Sequence, residues 1–184
     1  MIFGLFRKSA PETALAADAV YASVVAAARR PEFYRDLGAP DTLPGRFELI
    51  VLHAALLNRR LARDPDPRAQ AFAQDVFDAM FRALDANLRE IGVGDITVPK
   101  RVKAMARSYY DGAKVYDAAL DARDEAALAA ALGRIVYAGE APDEERPRRL
   151  AAYAIRADAA LAAQAAAELE VAGPAYPDVT EDLT

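Results

Sequence analysis

Asp85-Ala-Asn-Leu-Arg-Glu-Ile-Gly-Val-Gly-Asp-Ile-Thr-Val-Pro-Lys-Arg-Val-Lys103 decides how this chain folds. It joins a strongly patterned helix to a second helix through a short turn. The first helix is expected to stop at Ile91, because Gly92 and Gly94 can take the positive φ that ends a helix. Thr97 can cap the next helix, with Pro99 in its first turn, where a missing amide hydrogen does no harm.

Upstream of the turn, Pro67 to Ile91 carries Phe72, Val76, Phe77, Met80, Phe81, Leu84, Leu88 and Ile91, a broad apolar face at helical spacing. Downstream, Pro99 to Tyr110 is a sharply amphipathic helix. Val98, Val102, Met105 and Tyr109 form its apolar stripe, which Tyr116 extends if the helix runs on through Gly112 to Leu120. Further out, Pro44 to Arg63 is apolar on most sides, with only Glu48, Ala55 and Arg59 sharing a plausible solvent face, and should lie at the centre. Ser9-Ala-Pro-Glu12 is a capping box that starts a helix running to about Arg30. Pro31 to Gly38 reads as a short helical turn. Asp64-Pro-Asp-Pro67 stops the central helix and caps the next one. Asp121-Ala-Arg-Asp124 starts a helix ending near Tyr137, and Asp143 can cap a last one extending to Val171.

The expected fold is all-α, a single-domain helical bundle of about six to eight helices. Residues 1–10 form an apolar and basic N-terminal segment, 11–171 the helical domain, and 172–184 an acidic tail expected to be disordered, with no core to join. Composition agrees: hydrophobic residues are 54% of 184, and much of that is alanine, the best helix former.

No cysteine is present, which removes disulfides, thiolate metal sites and thiol nucleophiles together. The net charge of −5 divides as +2 over residues 1–64, 0 over 65–120 and −7 over 121–184. The acidic end argues against general binding to nucleic acid, and no specific DNA contact is expected. The longest apolar run, Leu49 to Leu57, is broken by His53 and is far below the roughly 20 residues of a membrane span. Ile2, Phe3, Leu5 and Phe6 before Arg7 and Lys8 make a poor signal peptide, so a cytoplasmic chain with at most peripheral membrane contact is expected.

His53 is the only histidine, and Arg46 and Arg60 on its side of the helix disfavour both an imidazolium and a metal ion. A satisfied core histidine is the expected role. Asp75, Asp78, Arg82, Asp85 and Arg89 fall within about 80° of one another at 3.6 residues per turn. They form either a docking stripe or a ladder of i,i+4 pairs, Asp78–Arg82 and Asp85–Arg89, on a solvated face. Lys100, Lys103, Arg107 and Lys114 lie opposite the apolar stripe of their helix, with Tyr110 near them. Such a face can meet RNA, anionic lipid or an acidic protein, or simply water. Gly92-Val-Gly94 lacks the strand, third glycine and lysine of a nucleotide loop. These residues supply no catalytic group, and no cofactor or metal is expected.

Several of these segments together resemble the ubiquinol–cytochrome c chaperone family. They are Phe77-Asp-Ala-Met-Phe-Arg-Ala-Leu-Asp85, Leu88-Arg-Glu-Ile-Gly-Val-Gly-Asp95, Val98-Pro-Lys-Arg-Val-Lys103 and the pair Tyr109 and Tyr116. Arg30-Pro-Glu-Phe-Tyr34 and Pro44-Gly-Arg-Phe-Glu-Leu-Ile50 fit upstream, so the likeness covers about residues 30 to 138. Asp111-Gly-Ala-Lys114 departs from it where a glycine followed directly by arginine is expected.

The resemblance implies a non-enzymatic, all-helical assembly factor for respiratory complex III, of bacterial type. Its client would be cytochrome b or an early complex III intermediate, and a small helper protein or the ribosome would be further partners. The surface expected to receive the client comprises Asp75, Asp78, Arg82, Asp85, Arg89, Glu90, Gly92, Gly94, Asp95, Lys100, Lys103, Arg107, Tyr110 and Lys114. Two alternatives stand beside it. One is a general helical adaptor or ribosome-associated binding module with another client. The other is an all-α hydrolase or lyase using Asp75, Asp78 or Asp85.

Overall fold

The computed structural model describes residues 11–141 and 143–180, and all regular structure among them is helical. In chain order the helices are α1 (Pro11–Ala28), α2 (Pro31–Arg35), α3 (Leu43–Ala62), α4 (Pro67–Glu90), α5 (Val98–Ala122), α6 (Glu125–Ile135), α7 (Glu145–Ala162) and α8 (Ala166–Ala172). The capping serine Ser9, residues 1–10 as a whole and residues 181–184 lie outside the described residues.

α3 is the axis of the bundle, with α1, α4, α5 and α7 packed around it. Its residues Leu49 to Leu57 are all buried, because the run is apolar on every side and each side meets another helix. Glu48, Ala55 and Arg59, expected on a solvent face, are covered instead. α5 and α7 close over them: Ser108 donates to Glu48 at 2.9 Å, and Arg59 reaches Asp117 at 3.0 Å, Asp121 at 2.7 Å and Asp158 at 2.9 Å. A lone glutamate and arginine on an apolar helix thus mark polar contacts between helices, not exposure.

Side chains set the starts of α3, α4, α6 and α7. Thr42 caps α3 by accepting from the Gly45 amide at 3.2 Å, and Asp66 caps α4 by accepting from Arg68 at 2.9 Å. Asp124 accepts from Ala127 at 2.9 Å at the head of α6, and Asp143 accepts from Arg146 at 2.9 Å at the head of α7. α5 runs unbroken through Gly112, which is buried against α3 beside Val51.

His53 sits fully buried at the centre of α3. Its Nδ1 lies 2.7 Å from the Leu49 carbonyl, which can only accept, so the ring proton is on Nδ1. Nε2 is then the acceptor for the Tyr153 hydroxyl at 2.8 Å. Phe33, Tyr153 and Tyr176 pack their rings around it. Both ring nitrogens are occupied by the fold, leaving none for a metal or a haem. Burial, with Arg30 as a smaller repulsive contribution, lowers its pKa to about 4.

The C-terminal segment differs from the sequence expectation. One helix to Val171 was expected, followed by a tail with no core to join. The chain instead breaks between α7 and α8 at Gln164, whose side-chain amide holds the Ala175 backbone in both directions at 2.9 Å. This turns the segment back over the bundle. Tyr176 is buried and donates to the His53 carbonyl at 2.9 Å, Val179 is buried, and Arg30 donates to the Pro177 carbonyl at 2.7 Å. A tail with two apolar anchors does have a core to join, and it covers the middle of α3.

Candidate interaction surface

α4 and α5 are antiparallel neighbours joined by residues 91–97. The Gly92 amide donates to the Arg89 carbonyl and the Val93 amide to the Leu88 carbonyl, both at 3.0 Å, with Gly92 at φ +84. This is a Schellman ending, and it needs glycine because a Cβ disfavours the left-handed region. Gly94, expected to share that role, does not have positive φ. Its carbonyl accepts from Thr97 at 2.8 Å and Val98 at 3.1 Å, folding the chain into α5. Thr97 stands at the cap position but its side chain makes no capping bond, since its backbone is already helical. Arg89 locks the joint, pairing with Asp85 at 2.7 Å and reaching across the turn to Asp95. The Asp85 hydrogen bond is the main reason that the Arg89 pKa is raised.

The five-residue stripe of α4 does not survive as one exposed surface. Asp75 and Asp78 are each only 2% exposed. Asp78 accepts from Gln74 at 2.8 Å, and Asp75 lines a pocket with Thr13 of α1 and Glu170 of α8. The stripe lies where α1, α5 and α8 approach α4, so its first half is enclosed by packing that helical periodicity alone does not show. Arg82 pairs with Asp18 of α1 at 2.7 Å instead of with Asp78. Only Asp85–Arg89 forms the expected i,i+4 pair, and Glu90 is exposed beside it. A ladder of pairs and a client-facing stripe both need Asp78 outside, which it is not.

The outer face of α5 is different. Lys100, Lys103, Arg107, Tyr110 and Lys114 are all exposed, within about 80° of one another at 100° per residue. None of these four cations forms an ion pair among the described residues; exposed Asp111 lies beside them, and Asp117 and Asp121 follow on the same face beyond Lys114, where they pair with Arg59. Tyr110, 53% exposed, lies between Arg107 and Lys114, one turn to either side. Its ring packs tilted against Phe77 at 5.4 Å and edge-on against Tyr109 at 5.6 Å. Phe77 in turn contacts Phe81 at 4.6 Å, and buried Tyr109 accepts from Asn58 of α3 at 2.7 Å. Partial burial and then Asp78 raise the Tyr110 pKa, so its hydroxyl is a neutral donor.

The structure thus brings together Arg89, Glu90, Gly92, Gly94, Asp95, Lys100, Lys103, Arg107, Tyr110 and Lys114, and withdraws Asp75 and Asp78. It adds three residues to the same end: Ile91, Ile96 and Arg101, all exposed. Ile91 was expected on the buried face of α4, but the helix ends at Glu90 before the residue is carried inward. Ile96 and Arg101 could have been found from their positions off the Val98–Tyr109 stripe. Among the described residues no group of three or more His, Cys, Asp or Glu side chains is placed to hold a metal ion. No described helix is long and apolar enough to cross a membrane.

The chain as a whole is similar to known proteins. A family described as ubiquinol–cytochrome C chaperone matches residues 35–176, further toward the C-terminus than the motifs alone suggest. The crystal structure of the Cbp3 homolog from Brucella abortus matches with a TM-score of 0.81 and 37% sequence identity, covering 98% of this chain and 99% of that chain. Among curated proteins no sequence matches.

Proposed function

The chain belongs to the ubiquinol–cytochrome C chaperone family, and we propose that it is an assembly factor for respiratory complex III. In this reading it binds cytochrome b, or an early intermediate containing it, without carrying out a reaction of its own. It works at the cytoplasmic face of the membrane into which its client is inserted.

The observation that supports the reading most strongly is Tyr110 between two unpaired cations. Aromatic and arginine side chains dominate the energetics of protein interfaces, above all when their geometry is fixed before binding. Tyr110 is fixed by Phe77 and Tyr109, and among the described residues Arg107 and Lys114 have no ion pair that must be broken first. Such a face binds by contact alone, which is what a holding factor needs.

The test is co-purification of cytochrome b with the tagged chain from detergent-solubilised membranes. Tyr110→Ala with Arg107→Glu is expected to reduce the recovered b-type cytochrome strongly while the variant stays folded. Equal recovery with the unaltered chain would remove this face from the proposal. The same eluate reports a helper protein or ribosomal proteins, if either accompanies the client.

A further inference from the structure

The joint between α4 and α5 carries two largely exposed isoleucines. Ile91 is 62% exposed and Ile96 is 85% exposed. Single apolar residues on a surface are ordinary. Two within one short turn, next to three exposed cations without ion pairs among the described residues, make a local amphipathic patch. Those cations are Lys100, Arg101 and Lys103, in the first turns of α5.

The backbone of the turn is bonded at its two ends and open in its middle. The amides of Ile91, Gly92, Val93, Thr97 and Val98 are bonded to carbonyls within it or in the last turn of α4, whereas those of Gly94, Asp95 and Ile96 face water. Unpaired backbone groups are costly in hydrocarbon, so the turn can enter only the hydrated headgroup region, with its side chains alone reaching deeper. Asp95, the exposed carboxylate of the turn, is held by Arg89, as is Asp85; Glu90 is the remaining acid there.

Charge completes the pattern. Residues 89–103 sum to +2 in a chain of −5. The acidic excess of residues 121–184 begins at the far end of α5. Asp121 lies about 30 Å from Lys100 along the helix, roughly three to four Debye lengths at physiological salt. The end of the molecule that presents isoleucines is therefore cationic on its own account. RNA would be expected to meet stacking aromatics at such a site. The nearest exposed ring, Tyr110, is about 15 Å from Lys100 along the helix.

From this arrangement we infer that the α4–α5 turn docks on an anionic lipid bilayer, Ile91 and Ile96 entering the interface and Lys100, Arg101 and Lys103 meeting headgroup phosphates. This contact needs no client. It would hold the Tyr110 face beside the membrane surface, where a membrane-protein client emerges.

The chain has no tryptophan, so Ile96→Trp introduces a single fluorescent reporter at the turn. Its emission is expected to shift to the blue with vesicles of phosphatidylglycerol and phosphatidylcholine in equal parts, and to stay unchanged with phosphatidylcholine alone. In flotation with the mixed vesicles, the unaltered full chain is expected to rise. Lys100→Glu or Lys103→Glu is expected to lower its partition by about fivefold or more each, since one surface cation is worth about 1 kcal/mol there. Ile91→Ser with Ile96→Ser is expected to abolish flotation at an unchanged melting temperature.

Three results would overturn the inference. The reporter's emission could be unmoved by anionic vesicles. The unaltered chain could fail to float. Flotation could survive the variants at the turn and be lost instead with Phe3→Ser and Phe6→Ser, which would put the contact in the N-terminal segment. None of these depends on cytochrome b recovery from detergent, so the two proposals fail separately.

Discussion

The Tyr110 ring rests on Phe77 with centroids 5.4 Å apart and planes inclined by 39°, tying an exposed side chain of α5 to a buried one of α4. The same contact serves the core from one side and an interface from the other. Substitution on the two sides should therefore separate stability from binding.

Tyr110→Ala is expected to cost about 1 kcal/mol or less in stability, because half the ring is already in water. Phe77→Ala, in the buried layer, is expected to cost about 3–5 kcal/mol. Denaturant titration measures both. If Tyr110→Ala proved as destabilising as Phe77→Ala, Tyr110 would be a core residue and not an anchor for a partner.

Asp78 and Asp85 lie seven residues apart on one side of α4, yet the first is buried and the second is not. Asp78→Lys places a second kind of charge in an enclosed site and is expected to destabilise by on the order of 3 kcal/mol or more. Asp85→Lys loses a surface pair with Arg89 and is expected to change stability by about 1 kcal/mol or less. Thermal melts of the two variants side by side decide it. Similar small effects would show that Asp78 is accessible after all.

Gly92 and Gly94 can be told apart in the same way. Gly92 has φ +84 and Gly94 does not have positive φ, while a Cβ at either would meet nothing within 4 Å. Gly92→Ala is therefore expected to cost about 1 kcal/mol from backbone strain alone. Gly94→Ala is expected to be neutral or slightly stabilising, since it narrows the unfolded ensemble. Equal losses at both positions would contradict the Schellman ending at Gly92.

His53 should give the chain an acid sensitivity. Its pKa is lowered to about 4 from an ordinary 6.5. As pH falls below about 6.5 the unfolded chain takes up a proton that the folded chain excludes, so stability rises with pH in this window. The contribution is complete above pH 6.5, declines toward pH 4 and then levels, by on the order of 3 kcal/mol. His53→Phe loses the bond to Tyr153 at every pH. Its slope between pH 6.5 and 4 should be flatter than that of the unaltered chain. Parallel slopes would mean that His53 titrates as an exposed histidine does.

Much of this architecture is legible in the sequence alone. Apolar spacing located α3, α4 and α5, and short-range chemistry located their ends at Asp66, Gly92 and Asp124. Contacts between distant segments were harder to read. The periodicity of α4 places Asp75, Asp78 and Asp85 together, but it says nothing of the α1 and α8 residues that enclose the first of them. Tyr176 and Val179 are too few to register as a periodic element, although the Gln164 side chain fixes their path. On the candidate surface, the basic face around Tyr110 was visible as a helical pattern. The exposure of Ile91 depended on the helix ending one residue earlier than the apolar repeat suggests.

The central claim is that this chain supports complex III assembly through the outer face of α5. Deleting its gene and restoring it with the unaltered chain or with Tyr110→Ala and Arg107→Glu allows one direct measurement, the reduced-minus-oxidised spectrum of b-type cytochrome in membranes. Loss of the cytochrome b signal on deletion, rescue by the unaltered chain and poor rescue by the variant is the predicted result. A normal spectrum in the deletion strain would contradict the account.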